Sequence, residues 1–267
     1  MHREIYPGIH WIQECGPHRQ GIAEAVQRRG ETWCPPGREL HVPQNAYLLK
    51  GERSLLFDTL SPMGGELILE ALEQILEDRE LDYLLVSHPD VPHAGNTARI
   101  LRRYPQAKLV APREGDTHGL YQLDGALKVG PGDEIDLGGP VARFHEATFL
   151  DAALHVWMTE EGSQTLFPVD WMGFPHLDGE CLRFADELEE EIDIGRLTEF
   201  HSRVLFWFQY VDVDVTRDVV DYLARKFQPD RIAPAHGLVI RRDPERYFEL
   251  MKEVVSRVAE SGRTGVL

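Results

Sequence analysis

Apolar residues recur along the chain with two different spacings, and each spacing predicts a different element. Short apolar runs at 9–12, 45–49 and 54–58 are typical of β-strands, and the last two flank a glycine-containing turn, as in a hairpin. Beyond them, apolar residues three and four positions apart, from Ile68 to Leu76, predict an amphipathic helix. The N-terminal part is therefore predicted to be antiparallel β, followed by a helix.

The middle of the chain alternates strands with polar loops and helices. The apolar run at 83–86 predicts a strand that ends at a polar loop. Gly95-Asn96-Thr97 then opens a helix, which Pro105 stops. Further strand patterns follow at 108–111, between 130 and 157, and at 165–169. Polar side chains thus follow several of the predicted strands directly at their carboxyl ends.

The C-terminal part is predicted to contain two helices. Thr216 is the predicted N-cap of a helix that runs to Phe227, and a short strand follows at 231–234. Asp243-Pro244 then starts a last helix, because proline is favoured in the first helical turn.

The order of these elements predicts an α+β fold. Each half of the chain is a run of strands closed by strand and helix units, which favours two β-sheets packed face to face with helices outside. No internal repeat or low-complexity linker interrupts the pattern. Residues 1–267 are therefore interpreted as a single domain.

Composition and charge argue against several classes of protein. The chain has 28 Lys and Arg against 45 Asp and Glu, a net charge of −17, whereas nucleic-acid binding needs a basic face. No apolar stretch approaches the roughly 20 residues that cross a bilayer, and no signal-peptide core is present, so a cytoplasmic protein without membrane contact is expected. Cys15, Cys34 and Cys181 are far apart and form no C-x-x-C motif. Three reduced thiols are expected, rather than a disulfide framework or a zinc ribbon.

The loop after the strand at 83–86 carries the most informative side chains. His88, Asp90 and His93 lie within six residues, and imidazole and carboxylate groups at this spacing can converge on a metal ion without long-range loop closure. A solvated loop or an N-cap network is the alternative explanation.

Two later strand ends add further candidate ligands. Asp170 follows the strand pattern at 165–169, and His236 follows the one at 231–234. Taken separately, each could equally be a helix cap or a satisfied core residue.

Together these residues resemble the motifs of the metallo-β-lactamase superfamily, most closely the branch of flavodiiron and free-standing oxygen-binding diiron proteins. That branch has His-x-Glu-x-Asp-His after a strand, then His-x-x-Asp, a bridging Asp after a strand, and Ala-Pro-x-His-Gly before Asp-Pro and a helix. Ala233-Pro234-Ala235-His236-Gly237 and Asp243-Pro244 match the last part. The resemblance implies an αββα sandwich of two mixed β-sheets with helices on the outer faces.

The first motif matches with one clear departure. His88 falls on the first His of the family motif, Asp90 on the Glu, Pro92 on the Asp and His93 on the second His. Because proline has no ligating side-chain atom, one carboxylate ligand of the second metal is lost. The resemblance assigns Asp170 as the bridging ligand and His236 as the last histidine.

The third histidine of the pattern has no single match. Thr148, or a water molecule at that position, stands in its register, His145 lies three residues earlier, and Glu146 is the remaining candidate on this segment. His145 is included in the predicted ligand set, with the other two as alternatives. His176 resembles the family's pocket histidine and is predicted to be a catalytic residue beside the metals rather than a ligand, and His155 is interpreted as a strand residue.

The resemblance implies a non-heme diiron protein that binds or reduces O2 or NO, with electrons from a separate donor protein. It implies two iron ions, and zinc or a single metal ion is the alternative, because only Asp90 and Asp170 supply anionic ligands. No flavin is expected in this chain, since only about one helix follows His236 and the flavodoxin-like domain of flavodiiron proteins is not matched. A homodimer is also possible.

Two other functions stay open. A zinc hydrolase of the same superfold would act on an ester, thioester, lactone or phosphodiester, but its usual His-x-His-x-Asp-His motif is not met at Asp90 and Pro92. A non-catalytic descendant would keep the fold as a metal-binding or sensor module. Metal analysis separates the first two functions.

Overall fold

The structure is a computed structural model that describes residues 1–16, 20–113, 125–151 and 154–261. The chain divides into two compact units. Residues 1–14, 44–148 and 152–167 form the first unit, and residues 15–43, 149–151 and 168–267 form the second. The interpretation of residues 1–267 as one domain stays a prediction.

The first unit contains a seven-stranded mixed sheet. Strands are numbered in chain order, and β3 belongs to the second unit. The strands of this sheet are β1 (His2–Tyr6), β2 (Ile9–Glu14), β4 (Gln44–Lys50), β5 (Ser54–Phe57), β6 (Tyr83–Leu85), β7 (Lys108–Pro112) and β8 (Leu127–Val129). Neighbouring strands pair antiparallel from β1 to β5 and parallel from β5 to β8. Because β5 and β6 are parallel, the residues that follow them lie at the same edge of the sheet.

A second, antiparallel sheet of the same unit packs against the first. It contains β9 (Glu134–Asp136), β10 (Val141–Glu146), β11 (Val156–Glu160) and β12 (Thr165–Phe167), which pair in that order. The ring of Phe167 lies 5.2 Å from that of Tyr47 and 5.7 Å from that of Phe57. These contacts between β12 and the strands β4 and β5 confirm the predicted packing of two sheets.

Helices cover the other face of the mixed sheet. The first unit contains α2 (Gly65–Leu76), α3 (Val91–Ala94), α4 (Thr97–Arg103) and a 3-10 turn at Pro62–Gly64. Ile68 and Leu72 of α2 are fully buried in one cluster with Ala46 and Leu48 of β4. Each such side chain contributes roughly 1.5–3 kcal/mol to folding, so the predicted apolar face of α2 is what fixes the helix on the sheet.

The second unit is mainly helical. It contains α1 (Gln20–Arg28), α5 (Ile194–Val204), α6 (Val213–Phe227), α7 (Pro244–Ser261), the short strands β3 (Leu40–His41), β13 (His176–Leu177) and β14 (Arg231–Ile232), and 3-10 turns at Ala185–Glu187 and Phe206–Tyr210. β3 and β13 pair antiparallel. Within the ranges that the structure describes, none of the helices combines the length and apolar composition that a membrane span requires.

The start of α6 corrects one sequence prediction. The N-cap is Asp212, whose carboxylate accepts a hydrogen bond from the backbone N–H of Val215 at 3.1 Å. Thr216 lies inside the helix, where its hydroxyl donates to the carbonyl of Asp212 at 2.7 Å. The prediction of Thr216 as the N-cap is therefore wrong, because an Asp four residues earlier satisfies the first free N–H groups.

The cysteines also differ from the expectation of three reduced thiols. Cys15 and Cys181 are joined by a disulfide within the second unit, although 166 positions separate them. Only Cys34 is a free cysteine, and it is buried. The expectation was wrong for the pair because a contact this distant in sequence leaves no local spacing that a motif could show.

Candidate metal centre

Three histidine rings lie together in the first unit. His88 comes from the loop after β6, His93 from the short helix α3, and His155 directly precedes β11. The ring of His88 lies 3.9 Å from that of His93 and 3.7 Å from that of His155, between ring centres. The three side chains are almost fully buried. Imidazoles gathered in this way are the nitrogen donors that iron and zinc prefer.

A buried carboxylate orients one of these rings. Asp58 directly follows β5 and is fully buried. It accepts a hydrogen bond from Nδ1 of His93 at 2.8 Å, and two more from the backbone N–H and the hydroxyl of Ser87 at 2.8 and 3.0 Å. Because Nδ1 donates to the carboxylate, Nε2 of His93 is the nitrogen left to ligate a metal.

The loop that carries His93 is fixed from the other side by polar contacts. The hydroxyl of Thr59 donates to the carbonyl of His93 at 2.8 Å. The backbone N–H of Asn96 donates to that same hydroxyl at 3.0 Å, and the Asn96 side chain donates to the carbonyl of Ser61 at 2.6 Å. These bonds hold the loop between β6 and α4 against the loop after β5.

Asp90 and Pro92 lie at the outer side of this loop. Asp90 is the N-cap of α3, its side chain is 52% exposed, and its Oδ2 lies 3.9 Å from Nε2 of His88. Pro92 lies in the first turn of α3, where its missing N–H costs no helical hydrogen bond. Asp90 is thus positioned next to His88, whereas Pro92 offers no ligand.

The second unit brings Asp170 and His236 together. Nε2 of His236 lies 3.2 Å from Oδ1 of Asp170, and both residues are buried. Nδ1 of His236 donates to the carbonyl of Pro43 at 2.7 Å. This bond leaves Nε2 of His236 to face the Asp170 carboxylate, which is again the arrangement of a metal-ligating histidine.

Backbone strain occurs directly before Asp170. Val169 has a φ of 57°, a left-handed conformation that costs a β-branched residue on the order of 1–3 kcal/mol. The carbonyl of Val169 accepts a hydrogen bond from the backbone N–H of Ala235 at 2.7 Å. This bond ties the strained residue to the segment that carries His236, so the two ligand candidates are held in one arrangement.

His201 of α5 supports the turn after Asp170. Its Nε2 accepts a hydrogen bond from the backbone N–H of Met172 at 3.1 Å, and its Nδ1 donates to the carbonyl of Leu197 at 2.7 Å. Burial lowers the pKa of His201 from 6.5 to about 4. The ring is therefore neutral near pH 7, as an acceptor nitrogen requires.

The other predicted site residues lie elsewhere in the two units. His145 is on β10 of the first unit, with Nε2 2.7 Å from the hydroxyl of Thr159, while Glu146 and Thr148 are exposed. His176 is on β13 of the second unit, and burial, with nearby positive charge, lowers its pKa to about 3. Their predicted roles at the metals stay predictions.

Asp58 and His155 are the residues that the sequence analysis missed. Asp58 directly follows a strand, as the recognised candidates do, but it stands 35 positions before its partner His93 and belongs to no motif. His155 directly precedes β11 and was interpreted as a strand residue. Its position beside His88 depends on the pairing of the sheets, which no local pattern reveals.

Comparison with protein families decides the relationship. The family model of the metallo-beta-lactamase superfamily matches residues 41–177, just over half of the chain. The chain belongs to this superfamily. The fold and the family that the sequence motifs implied are thus confirmed.

The relatives of this metallo-β-lactamase-fold protein are flavodiiron proteins. The nitric oxide reductase of Moorella thermoacetica is 26% identical over 211 residues, which are 77% of this chain and 51% of the relative. The flavo-diiron protein FprA2 of Clostridium acetobutylicum is 25% identical over 229 residues, 79% of this chain and 54% of the relative. The chain thus spans about half the length of these curated relatives.

Solved structures show the same fold. Rubredoxin oxygen:oxidoreductase from Desulfovibrio gigas superposes with a TM-score of 0.70 at 21% sequence identity. The match covers 98% of this chain and 61% of that protein. At this identity the likeness establishes the fold, and any statement on activity needs the residues of this chain.

Proposed function

We propose that this metallo-β-lactamase-fold protein holds two iron ions and reduces NO or O2 with electrons from a separate donor. The first support is its family and its relatives, which include a nitric oxide reductase and a flavo-diiron protein. The second is the buried group of His88, His93 and His155 with the Asp58 carboxylate, the single observation that carries the proposal.

The donor set fits iron. Imidazole and carboxylate groups suit Fe(II) and Fe(III), and no thiolate belongs to the set. In the first unit the proposed ligands are His88, His93 and His155, with Asp90 as an outer carboxylate. In the second unit they are Asp170 and His236. The hydrogen bonds from Nδ1 of His93 and of His236 to fixed oxygen acceptors match the supporting contacts that metal-bound histidines usually have.

We propose His155 as the third histidine ligand. Its ring lies 3.7 Å from that of His88, whereas Nε2 of His145 is engaged with Thr159 on the β10–β11 pair. The proposal therefore replaces His145 of β10 by His155, which directly precedes β11.

The bound ions would pass electrons from the donor to a diatomic molecule and would offer it open coordination positions. The protein itself orients the ligands. Asp58 fixes the tautomer of His93, and His201 holds the turn that follows Asp170. In the second unit, Phe149 packs 5.0 Å from Trp171 and 5.5 Å from Phe208. All three rings are buried, so Trp171, which directly follows Asp170, is held in an apolar environment.

The experiment uses the full chain purified without oxygen from iron-supplemented cells. We would measure iron and zinc per chain by mass spectrometry. We would also measure the consumption of NO and O2 by chain that has been reduced with methyl viologen and then freed of this donor, because the free donor itself reacts with O2. About two iron ions per chain and donor-dependent consumption are expected. His93→Ala and His236→Ala should each lose at least about half of the iron, whereas a matched change outside the set, His2→Ala, should retain it.

Other results would reject the proposal. Stoichiometric zinc in a colourless protein that cleaves an ester or thioester would indicate the hydrolase instead. An iron-loaded chain that consumes neither gas with the reduced donor would leave only the fold and the metal, which is the non-catalytic alternative.

A further inference from the structure

The second unit contains another group of metal-ligand side chains, distinct from those proposed for iron. It consists of Cys15, His41, His176 and Cys181, here called the Cys–His cluster. One ligand atom from each residue lies within 4.8 Å of the others, and the two cysteines are joined by a disulfide. We propose that, when this disulfide is reduced, the Cys–His cluster binds one Zn²⁺ ion.

The short sheet β3–β13 places the two histidines side by side. His41 pairs directly with His176, and Leu40 with Leu177. Because side chains alternate between the faces of a strand, each pair shares one face. Leu40 and Leu177 are buried in an apolar cluster with Cys34. The opposite face therefore carries the two imidazoles, whose ring centres are 5.4 Å apart.

Each cysteine sulfur lies next to a ring nitrogen. Sγ of Cys15 is 3.5 Å from Nε2 of His176, and Sγ of Cys181 is 3.5 Å from Nδ1 of His41. A tetrahedral Zn²⁺ with Zn–S bonds of about 2.3 Å and Zn–N bonds of about 2.0–2.1 Å separates its ligand atoms by about 3.3–3.8 Å. The two measured distances fall inside this range.

Opening the disulfide to that geometry needs only a small movement. The sulfurs separate from about 2.05 Å to about 3.8 Å, so each moves by about 1 Å. The alternation of sulfur and nitrogen also favours a single ion. In a Rieske-type two-iron cluster the cysteines bind one iron and the histidines the other, which would keep sulfur and nitrogen apart.

The charge of the group suits its burial. His41 is 7% exposed and His176 is fully buried. Two thiolates balance the charge of Zn²⁺, and neutral imidazoles add none, so the loaded group is neutral and avoids the cost of an unpaired buried charge. Two cysteines and two histidines are the ligands of a common structural zinc site. Such an ion would tie residues 15–43 to residues 168–267 within the second unit.

The disulfide and the zinc ion are alternative states of the same cysteines. Oxidised glutathione converts the two thiolates into one S–S bond, takes up two electrons and two protons, and leaves as two molecules of reduced glutathione. The ion loses both sulfur ligands in this reaction and is released.

The experiment compares reduced and oxidised full chain, using Zn²⁺ and Co²⁺ as probes. Chain treated with a phosphine reductant is expected to bind one Zn²⁺ beyond the metal at the iron site. Its Co²⁺ form should show a sulfur-to-cobalt charge-transfer band, which the iron site cannot give because it has no sulfur ligand. Oxidised glutathione should remove both signals.

Variants separate this site from the iron centre. Cys181→Ser should raise the Zn²⁺ dissociation constant by more than about 100-fold, while Cys34→Ser, which removes a buried cysteine outside the cluster, should not change it. His236→Ala should lose iron and keep the sulfur-to-cobalt band. Absence of that band in the reduced parent overturns the zinc site and leaves the iron proposal untouched. If Cys181→Ser does not fold, the comparison of Zn²⁺ binding and of the sulfur-to-cobalt band between reduced and oxidised parent tests the proposal without it.

Discussion

Asp58 accepts three hydrogen bonds in a fully buried position, and one of them fixes the ring of His93. Its charge is thus directed at a proposed ligand rather than at solvent. Replacing Asp58 with Asn keeps the shape of the side chain but removes the charge and one acceptor. We expect iron affinity to fall by about 10–100-fold, as for other carboxylates that support a metal-bound histidine.

A matched change tests whether this effect belongs to the metal. Asp82 accepts hydrogen bonds from the N–H and hydroxyl of Ser54, which begins the strand that Asp58 follows. Asp82→Asn should affect the free energy of unfolding but not iron binding. Equal iron affinities in the two variants, measured by competition with a chelator, would contradict a supporting role for Asp58.

His155 and His145 give a direct comparison of two histidines in the same antiparallel sheet region. Because the His155 ring packs on His88, we expect His155→Ala to lose at least about half of the bound iron. His145→Ala should keep its iron, since this ring contacts Thr159. Mass spectrometry of the purified variants measures both. The reverse result would restore His145 as the ligand.

Pro92 stands where the family places a metal-binding Asp. It lies in the first turn of α3, so Pro92→Asp disturbs no helical hydrogen bond, and a carboxylate near a helix N-terminus is tolerated. We expect the second ion to bind about tenfold or more tightly, because an anionic ligand is added. Calorimetric titration of the apoprotein with Fe(II) measures this affinity.

The control for Pro92 is its neighbour Val91, which is 61% exposed. Val91→Asp adds the same charge to the same turn without the family's ligand position. If Pro92→Asp folds normally yet binds the second ion no more tightly than Val91→Asp, the loop does not follow the family path. A mononuclear centre would then replace the dinuclear one.

At the scale of elements, α5 acts on the site through His201. The folded pKa of about 4 lies below the usual 6.5, so between these values the unfolded chain binds a proton that the folded chain does not. The contribution of His201 is complete above pH 6.5 and is lost as the pH falls towards 4. The slope is about 1.4 kcal/mol per pH unit, on the order of 3 kcal/mol in total.

Urea unfolding of the apoprotein between pH 7 and 4 checks this dependence. His201→Gln keeps an acceptor near the N–H of Met172 but does not titrate. The variant should therefore lose about 1.4 kcal/mol per unit from the slope of unfolding free energy against pH. If the unfolding free energies of parent and variant depend on pH in the same way, His201 is not the neutral acceptor for the N–H of Met172.

The elements also show where sequence patterns are sufficient. Apolar periodicity gave the β4–β5 hairpin, α2 and α7, because each buries a simple apolar face. Apolar periodicity did not predict α5, because this helix buries the polar residues Arg196, Glu199 and His201. Their partners are distant in sequence: Glu180 pairs with Arg196, and Arg29 pairs with Glu199. Polar residues satisfied in this way hide a helix from any local pattern.

At the scale of the whole molecule, the same limit applies to the site. The loop motif placed His88 and His93 correctly together, because six residues suffice to define it. Asp58 and the Cys15–Cys181 pair need contacts across 35 and 166 positions. Such contacts follow from sheet and helix packing and leave no spacing in the sequence.

Whether NADH can be the direct electron donor depends on a dinucleotide-binding motif anywhere in the chain. Its 267 residues contain no Gly-x-Gly-x-x-Gly dinucleotide loop. We expect the purified protein not to oxidise NADH in the presence of O2 or NO. Protein that has been reduced with methyl viologen and then freed of this donor should consume either gas. An oxygen electrode and NADH absorbance measure both. Steady NADH-driven O2 consumption by the pure protein would contradict an external donor.

The second unit is discontinuous, and this sets an order of events during translation. The strand β3 (Leu40–His41) pairs with β13 (His176–Leu177), and His41 lies opposite His176. The ribosome must therefore add 135 residues after His41 before this pair can form. At roughly 5–20 residues per second, this interval lasts roughly 7–27 s. The first unit, which ends at residue 167, can fold within it. Until Cys181 has been synthesised, the thiol of Cys15 lacks its native partner. During this time it can form a disulfide with a wrong thiol.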